Sequence, residues 1–332
     1  MHAVRLHAFG PAGNLTYEEV PDPVPGPGQV RVVVAAAGVH LLDTALREGM
    51  PGPFGGPADL PTVPGREVAG TVDALGEGAD PSWLGRRVVA HLGAAPGGYA
   101  ELAVTGADRL HPVPDGLDEA AAVAMIGTGR TAMGIVRFAE PGRGDVVVVP
   151  AAAGGIGTLL VQYAKNAGAT VLGLAGGPAK TALVLANGAD AAIDYTRPGW
   201  AREARAWLGG RRAAVVYDSV GGDLGREAVG LLGEGGRHIV FGWSSQGVRD
   251  GGPLVLTEEE QAARGITSRQ VLGRAMLDRA GGDVRVLETR ALAEAAAGRL
   301  RPAVQRFPLR EAARAHRALE TRGTTGKVVL VP

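Results

Sequence analysis

The feature that most constrains the fold of this 332-residue chain is a run of four valines followed closely by a glycine-rich stretch. The valines occupy positions 146–149, and the stretch at 152–157 reads Ala-Ala-Gly-Gly-Ile-Gly. A continuous apolar run of this kind is typical of a parallel strand that is buried on both faces. Segment 158–166 then has a helical pattern, which Gly168 closes. A strand, a glycine turn and a helix in this order predict a dinucleotide-binding unit.

The glycine turn has the chemistry that a diphosphate needs. Glycine lets the main chain approach the phosphates, backbone N–H groups donate to them, and the N-terminus of the following helix adds a favourable dipole. Ala152 takes the first glycine position of the G-x-G-x-x-G fingerprint, Gly154 the second and Gly157 the third. The alternative is a purely structural turn in a glycine-rich chain. The residues predicted to contact the cofactor here are Ala153, Gly154, Gly155, Ile156 and Gly157.

The end of the second predicted strand indicates which dinucleotide binds. An NAD-preferring site usually has Asp or Glu about 20 residues past the loop, where the carboxylate binds the ribose hydroxyls. Segment 175–180 has no carboxylate; it contains Gly176 and Lys180, and Tyr195 follows the next predicted strand. Lys180 and Tyr195 are therefore predicted to bind a 2′-phosphate beside Gly176, which favours NADP(H) over NAD(H). The alternative is that Lys180 is a solvated helix residue.

Strands and helices alternate through the middle of the chain, which predicts a doubly wound parallel α/β sheet. The first third has short strands separated by proline and glycine turns, and the tail has mixed elements. Both ends are expected to form one discontinuous outer domain, with the nucleotide domain inserted. Besides the strand before the glycine loop, the predicted strands lie at 29–39, 68–76, 87–91, 170–174, 191–193, 213–218, 236–242 and 327–331. Besides the helix after the loop, one helix is predicted to begin at 119, and three others are predicted at 178–187, 292–300 and 311–321.

Composition excludes several classes of function. The 34 basic and 34 acidic residues balance, so no net charge attracts nucleic acid or an anionic membrane. Apolar stretches stay short of the roughly 20 residues of a membrane span, and the N-terminus has no signal-peptide core. The absence of cysteine excludes disulfides and thiolate-bound metals. We therefore expect a cytoplasmic protein that binds neither nucleic acid nor membranes.

The motif around the glycine loop extends in both directions. Gly144 and Asp145 precede the loop, Gln162 and Lys165 follow it, and Val148 stands where the usual pattern has leucine. These residues resemble the signature of the zinc-free quinone oxidoreductases, the zeta-crystallin-like branch of the medium-chain dehydrogenase/reductase superfamily. The resemblance covers essentially the whole chain. Other segments that resemble motifs of this family are 64–70, 129–132, 217–222, 241–242 and 325–330.

The resemblance implies a fold and an assembly. It implies a GroES-like, mainly-β substrate domain formed by residues 1–124 and 272–332. A Rossmann dinucleotide-binding domain at 125–271 would be inserted between them. Relatives pair through an edge strand of the nucleotide sheet, and segment 265–271 is the expected edge strand here. We therefore predict a homodimer.

By the same resemblance, a further set of residues is expected on the nicotinamide side of the cofactor. Two of them have alternative interpretations, because Thr131 also suits a helix cap and Phe241 also suits core packing. The set is Thr131, Val220, Phe241, Gly242, Ser244 and Lys327.

Zinc-dependent members of the superfamily hold a catalytic zinc with Cys, His or Glu, and Cys. At the matching places this chain has His40, Arg66 and Gly127. Arginine cannot bind a metal cation, and the neighbouring Glu67 cannot replace the ligand missing at Gly127. We therefore predict a zinc-free protein. Without a Lewis acid, alcohol oxidation loses its means of forming an alkoxide, whereas hydride transfer to an electron-poor acceptor stays feasible.

Three polar residues are candidates for catalysis: His40, Asp43 and Arg66. His40 follows a predicted strand and could donate a hydrogen bond to a carbonyl; the alternative is a hydrogen-bonded structural histidine. Asp43 could instead be a structural group, with Arg66 as its ion-pair partner. Segments 51–60 and 244–253 are expected to border the substrate pocket.

Together these features predict an NADPH-dependent reductase whose substrate is a quinone or an α,β-unsaturated carbonyl compound. Two alternatives stay open. An enoyl-thioester reductase of polyketide or fatty-acyl metabolism would have the same nucleotide loop. A non-catalytic NADPH-binding protein would keep the loop without turning over any acceptor.

Overall fold

The strands build two separate sheets and a hairpin. The computed structural model describes residues 1–52, 57–245, 247 and 251–332. Segments 51–60 and 244–253, which we expected to border the pocket, thus lie partly outside the described residues. The strands of the described residues are β1 (His2–Leu6), β2 (Leu15–Glu19), β3 (Gln29–Val39), β4 (Glu67–Leu75), β5 (Arg87–His91), β6 (Leu102–Gly106), β7 (Leu110–Pro112), β8 (Val146–Val149), β9 (Thr170–Ala175), β10 (Ala191–Asp194), β11 (Ala213–Asp218), β12 (Leu232–Val240), β13 (Thr267–Gln270), β14 (Val304–Pro308) and β15 (Lys327–Val331).

The helices are mostly short, and one of them begins within the glycine loop, at Gly155. A π-helical turn at Met125–Gly129 joins the second helix to the third. No helix of the described residues is long and apolar enough to cross a membrane. The α-helices are α1 (Leu41–Arg47), α2 (Glu119–Ala124), α3 (Arg130–Val136), α4 (Gly155–Asn166), α5 (Pro178–Ala186), α6 (Trp200–Leu208), α7 (Gly222–Val229), α8 (Glu258–Arg264), α9 (Arg274–Arg279), α10 (Arg285–Ala296) and α11 (Ala312–Glu320).

The chain divides into two compact units. The first contains residues 1–129, 291–296 and 302–332, and the second contains residues 130–290 and 297–301. The predicted domain limits, 1–124 with 272–332 and 125–271, stay a prediction.

The first unit contains a sheet that is antiparallel except for the parallel pair β14 and β15, and the candidate catalytic residues lie where some of its strands end. Its order is β14-β15-β3-β4-β5-β7, and β6 also pairs with β3. Val328 of β15 pairs with Val39 of β3, and Val68 of β4 pairs with Ala37. This register brings the end of β3 and the starts of β4 and β15 to the same end of the sheet. Val30, Val32 and Val34 of β3 are buried and face the core, whereas the residues between them are less buried.

The second unit contains a parallel sheet in the order β10-β9-β8-β11-β12-β13. The order is that of a doubly wound dinucleotide-binding sheet, so the predicted fold class is confirmed. The valines of β8 are buried on both faces, as a central parallel strand requires. The predicted edge strand at 265–271 corresponds to β13, which has one neighbour in this sheet.

One predicted helix is wrong at both ends. The sequence predicted a helix at 292–300, whereas α10 runs from Arg285 to Ala296. Gly298 has a φ of 68°, the left-handed conformation that commonly ends helices. Leu300 is buried beyond this break, so its apolar side chain does not continue the helical pattern.

Candidate active site

The glycine loop connects β8 to α4 in the middle of the parallel sheet. β8 lies between β9 and β11, so the chain leaves its carboxyl end toward one side and later returns on the other. Doubly wound sheets bind their ligands at such a switch point. The N–H of Ala152 donates to the carbonyl oxygen of Leu174 over 3.0 Å and ties the loop to β9. α4 begins at Gly155, so its unpaired first N–H groups point to the loop.

Gly157 lies where the first turn of α4 contacts the loop. A Cβ at this position would overlap the carbonyl oxygen of Ala151 and the backbone of Ala152. Ala151 has a φ of 51°, a conformation that non-glycine residues rarely adopt. Only glycine at 157 therefore lets the helix approach the strand end this closely, which suits a diphosphate site.

Gly176 and Tyr195 lie side by side at the ends of neighbouring strands. β9 and β10 pair in parallel with Ala175 opposite Asp194, so the residues that follow them are also neighbours. The hydroxyl of Tyr195 lies 3.4 Å from the place where a Cβ on Gly176 would be. Lys180 lies in the first turn of α5, which starts two residues after Gly176. The structure thus groups the three residues predicted to surround a 2′-phosphate at one corner of the second unit.

The same corner contains a carboxylate that the sequence analysis missed. Oδ1 of Asp194 accepts hydrogen bonds from the N–H of Gly177 at 2.9 Å and from the hydroxyl of Thr196 at 2.6 Å. These bonds, the Gly177 one first, hold the pKa of Asp194 below its usual range. A cofactor-selecting carboxylate was expected at the end of β9, whereas this aspartate ends β10. The pattern Asp-x-Thr, which often makes a local turn, was the available signal.

A buried network holds the turn that follows β11. Oδ1 of Asp218 accepts from the N–H groups of Val220 at 2.8 Å and Gly221 at 3.0 Å. Its Oδ2 lies 3.2 Å from Nε2 of His238, and Nδ1 of that ring lies 2.9 Å from the hydroxyl of Ser268. Asp218 and His238 have no exposed surface. The predicted cofactor residue Val220 is therefore held by buried groups that the sequence analysis did not single out.

Three further nicotinamide-side candidates, Phe241, Gly242 and Ser244, lie at the same turn. A Cβ on Gly242 would lie 2.7 Å from the carbonyl oxygen of Ser219, and the N–H of Ser244 donates to that oxygen over 3.1 Å. Phe241 is almost completely buried, as the core-packing alternative requires. Thr131 lies in the first turn of α3.

In the first unit, three residues meet where β3 ends and β4 and β15 begin: His40, Glu67 and Lys327. Nε2 of His40 lies 2.5 Å from Oε1 of Glu67 and 2.8 Å from Nζ of Lys327. Nζ of Lys327 lies 2.8 Å from Oε2 of Glu67 as an ion pair that is not aligned as a hydrogen bond. Glu67 is 0% and Lys327 4% exposed, whereas the His40 side chain is 33% exposed.

Glu67 is ionised in spite of its burial. Burial raises the pKa of Glu67, but attraction to His40 and Lys327 and the hydrogen bond with His40 outweigh it and hold the pKa well below its usual range. Glycines make room for this carboxylate, because a Cβ on Gly38 or Gly127 would overlap its oxygens. Lys327 was predicted from the resemblance to bind the cofactor; the structure places its ammonium group against Glu67 and His40.

Asp43 belongs to a different network. Its Oδ2 accepts from the backbone N–H of His40 at 2.8 Å and from the hydroxyl of Tyr99 at 3.1 Å. The Tyr99 hydroxyl also lies 3.1 Å from Nε2 of His316, whose Nδ1 lies 3.4 Å from the guanidinium of Arg47. All of these side chains except that of His40 are buried, which fits the structural interpretation of Asp43.

Comparisons with known proteins cover the whole chain. The model of the alcohol dehydrogenase GroES-like domain matches residues 26–115, and that of the zinc-binding dehydrogenase family matches residues 187–330. A quinone oxidoreductase of Pseudomonas aeruginosa is 33% identical, with 99% of each chain covered. A 2-haloacrylate reductase of a Burkholderia species is 34% identical, with 99% of this chain and 98% of the relative covered.

The chain belongs to the medium-chain dehydrogenase/reductase superfamily. The crystal structure of Escherichia coli quinone oxidoreductase complexed with NADPH has a TM-score of 0.84 and 27% identity to it, and each chain is covered fully. The present chain is an NAD(P)H-dependent oxidoreductase. The GroES-like and Rossmann folds predicted from the sequence are thereby confirmed.

The donor set of this oxidoreductase does not fit a catalytic zinc. Of the places that hold zinc in relatives, His40 offers a ligand atom, and Glu67 offers another beside the place occupied by Arg66. Both side chains contact the ammonium group of Lys327. A side chain at Gly127 would overlap Oε1 of Glu67, so a third ligand has no room there. Within the described ranges, no group of three or more His, Cys, Asp or Glu residues could hold a metal ion.

Arg66 lies directly before β4 and is half-buried. Its Nη2 lies 4.0 Å from the place where a Cβ on Gly52 would be, and its carbonyl oxygen accepts from the N–H of Leu92 over 2.7 Å. The predicted ion pair with Asp43, and a direct role of Arg66 in catalysis, stay predictions.

Proposed function

We propose that this protein is a zinc-independent, NADPH-dependent reductase that transfers hydride to a quinone or an α,β-unsaturated carbonyl compound. The observation that carries the proposal is the ammonium group of Lys327, which contacts both His40, at a zinc-ligand position, and Glu67, the neighbour of Arg66 at another. A cation that is part of the chain neutralises the buried carboxylate there. The oxidation of an unactivated alcohol would need a Lewis acid that this donor set does not hold.

Electron-poor acceptors do not have that requirement. The double bond of a quinone or enone accepts hydride without prior activation by a metal, and the enzyme has to position it and stabilise the developing negative charge. His40 is partly exposed and would donate a hydrogen bond to the acceptor carbonyl. The names of two relatives, a quinone oxidoreductase and a 2-haloacrylate reductase, support acceptors of this type.

Binding of the cofactor falls to the second unit. NADPH would supply the hydride from its nicotinamide ring. The N–H groups at the start of α4 would bind the diphosphate, and the turn held by Asp218 would contact the nicotinamide end. Gly176, Lys180 and Tyr195 would surround the 2′-phosphate.

Donor groups at that corner support the preference for NADPH. Lys180 and the Tyr195 hydroxyl can donate to a phosphate. The carboxylate of Asp194 accepts from Gly177 and Thr196, so Oδ1 is already engaged by backbone and hydroxyl donors. The 2′-phosphate of NADPH would therefore gain donors that NADH leaves unused.

Turnover with a panel of acceptors tests the function. Purified protein is given NADPH or NADH with quinones, simple enones and enoyl thioesters, and cofactor oxidation is followed. We expect faster turnover with NADPH and with quinones or enones. Faster turnover of enoyl thioesters would favour the alternative enoyl-thioester reductase. NADPH binding without oxidation across the panel would favour a non-catalytic protein.

Metal analysis of the same preparation tests zinc independence. We expect turnover in protein with far less than one zinc per chain, and unchanged turnover after chelation. Stoichiometric zinc that activity requires would contradict the proposal.

We also propose a homodimer that forms through β13. This strand is at the edge of the parallel sheet, so its open side is where a second copy would pair. Light scattering at micromolar concentration is expected to give twice the chain mass of 33.8 kDa. A monomer mass would overturn this.

A further inference from the structure

Trp243 has a buried hydrogen-bond donor in its indole ring. It follows Gly242 in the segment that leaves β12, and its side chain is half-buried. The Nε1 atom itself is buried, and among the residues that the structure describes it has no hydrogen-bond partner. Buried indole N–H groups usually have an acceptor, because an unpaired buried donor loses its bond to water and gains none in return. An acceptor supplied by a ligand would remove that cost.

Trp243 lies at the end of the parallel sheet where a cofactor is expected. β11 ends at Asp218 and β12 ends at Val240, and their parallel register places these two residues opposite each other. The segments that follow the two strands, 219–221 and 241–245, therefore leave the same end of the sheet. Doubly wound sheets bind their ligands at the carboxyl ends of the strands.

Hydrogen bonds directly after Trp243 hold its backbone against the turn that follows β11. The N–H of Ser244 donates to the carbonyl oxygen of Ser219 over 3.1 Å, and the N–H of Ser245 donates to that of Val220 over 3.0 Å. The hydroxyl of Ser245 donates to the same Val220 oxygen over 2.6 Å. Trp243 is thus fixed beside Val220, one of the residues predicted to lie near the nicotinamide.

Gly221 lies directly against Trp243. A Cβ on Gly221 would lie 3.4 Å from Cα and 3.5 Å from Cβ of Trp243. Gly221 has a φ of 64°, which residues with a side chain rarely adopt, and its N–H donates to Oδ1 of Asp218 over 3.0 Å. The base of the indole side chain therefore lies beside a turn whose own shape is held by a buried carboxylate.

We propose that the indole N–H of Trp243 donates a hydrogen bond to the carboxamide oxygen of the nicotinamide ring of NADPH. This inference rests on the proposed function, in which the turn after β11 contacts the nicotinamide end of the cofactor. It adds a cofactor-binding residue between Gly242 and Ser244, which were both predicted on the nicotinamide side.

The chemistry of the donor favours the carboxamide over the phosphates of the cofactor. Phosphates are anions, which helix N-termini and cationic side chains bind best, and such groups lie at α4 and at Lys180. A single uncharged donor that is buried suits an uncharged carbonyl oxygen. Indole N–H donates and does not accept, so the carboxamide has to present its oxygen and not its amino group to Trp243. The contact would therefore fix the orientation of the amide.

Indole ¹H–¹⁵N NMR spectra test this contact without any turnover. The chain has four tryptophans, at positions 83, 200, 207 and 243, and the spectrum of Trp243→Phe identifies the Trp243 signal. We expect NADPH to move this signal downfield, as a new hydrogen bond requires. The analogue 2′-phospho-ADP-ribose, which lacks the nicotinamide ring, should leave the signal in place. A signal that stays in place with saturating NADPH, or that moves equally with both ligands, would overturn the proposal.

Affinity measurements test the energetic part of the contact. Trp243→Phe keeps an aromatic ring but removes the N–H, and we expect Kd for NADPH to rise about 5- to 10-fold. Kd for 2′-phospho-ADP-ribose should stay within about twofold of the wild type. Trp207→Phe is the matched control, since Trp207 belongs to α6 and stacks with the guanidinium of Arg211. An unchanged Kd for NADPH, or equal losses with both ligands, would overturn the proposal.

A second replacement guards against a packing defect in Trp243→Phe. Benzothienylalanine at position 243 has the shape of tryptophan, with a sulfur atom in place of the N–H. The proposal requires the same rise in Kd for NADPH, and an affinity like that of the wild type would overturn it. If the wild-type protein binds NADPH but reduces no acceptor, the proposed function fails, while the NMR and affinity measurements still decide whether Trp243 binds the nicotinamide.

Discussion

The glycine loop of the second unit and the cluster of His40, Glu67 and Lys327 in the first unit reach their geometry in opposite ways. The loop is formed by consecutive residues, 151–157, and its shape follows from local backbone conformation. The cluster joins residues up to 287 positions apart, which the strand register brings together. A local site is open to sequence analysis, whereas a site made by strand pairing depends on a register that the sequence does not give directly.

The cluster is expected to show the largest response to mutation. Glu67→Gln leaves Lys327 as a buried cation without its counter-ion, and we expect the free energy of unfolding to fall by about 3–5 kcal/mol. Urea unfolding measures this loss. The double variant Glu67→Gln, Lys327→Met removes both charges and should be more stable than Glu67→Gln alone. If the loss in the double variant equals the sum of the losses in Glu67→Gln alone and Lys327→Met alone, the two charges do not depend on each other.

The loop should respond through binding and to a smaller extent. Gly157→Ala forces a Cβ against the backbone of residues 151 and 152, and we expect NADPH affinity to fall about 10- to 100-fold. Fluorescence titration with NADPH measures it. Gly142→Ala is the control, since the nearest atom to its Cβ would be 3.9 Å away. Unchanged affinity in Gly157→Ala would mean that the loop is a structural turn.

The two regions also differ in how far the sequence predicted them. The strand, loop and helix around Gly157 follow from local patterns, and the predicted fold class is confirmed. His40 was identified as a candidate, but its partner Lys327 was assigned to the cofactor, because nothing in the local sequence of either residue points to the other. Asp194 was missed for a related reason, since it acts across a strand pair on Gly177.

A second network of the first unit predicts a dependence of stability on pH. Burial lowers the pKa of His316 from the usual 6.5 to about 4. Between these values the unfolded chain binds a proton at His316 and the folded protein does not. The free energy of unfolding should therefore fall by about 1.4 kcal/mol for each pH unit as the pH drops from 6.5 toward 4.

Urea unfolding of the wild type and of His316→Gln at several pH values separates this effect from that of the carboxylates. Protonation of carboxylates such as Glu67 and Asp194 also lowers the free energy of unfolding in acid, but it does so in both proteins. The difference between the two proteins should shrink as the pH falls through this range. A constant difference would mean that His316 is protonated in the folded protein.

The smallest expected effect concerns the corner of the second unit that selects the cofactor. Lys180→Ala should raise the Kd for NADPH about tenfold and leave that for NADH unchanged, because one charge-assisted contact with a 2′-phosphate is lost. Lys165→Ala serves as the control, since Lys165 is held by Asp190 on the surface. Equal weakening of both cofactors would make Lys180 a residue of the helix rather than of the phosphate site. No change with either cofactor would leave the hydroxyl of Tyr195 as the donor that distinguishes NADPH, so that selectivity, like the cluster of His40, Glu67 and Lys327, would depend on residues joined by strand pairing.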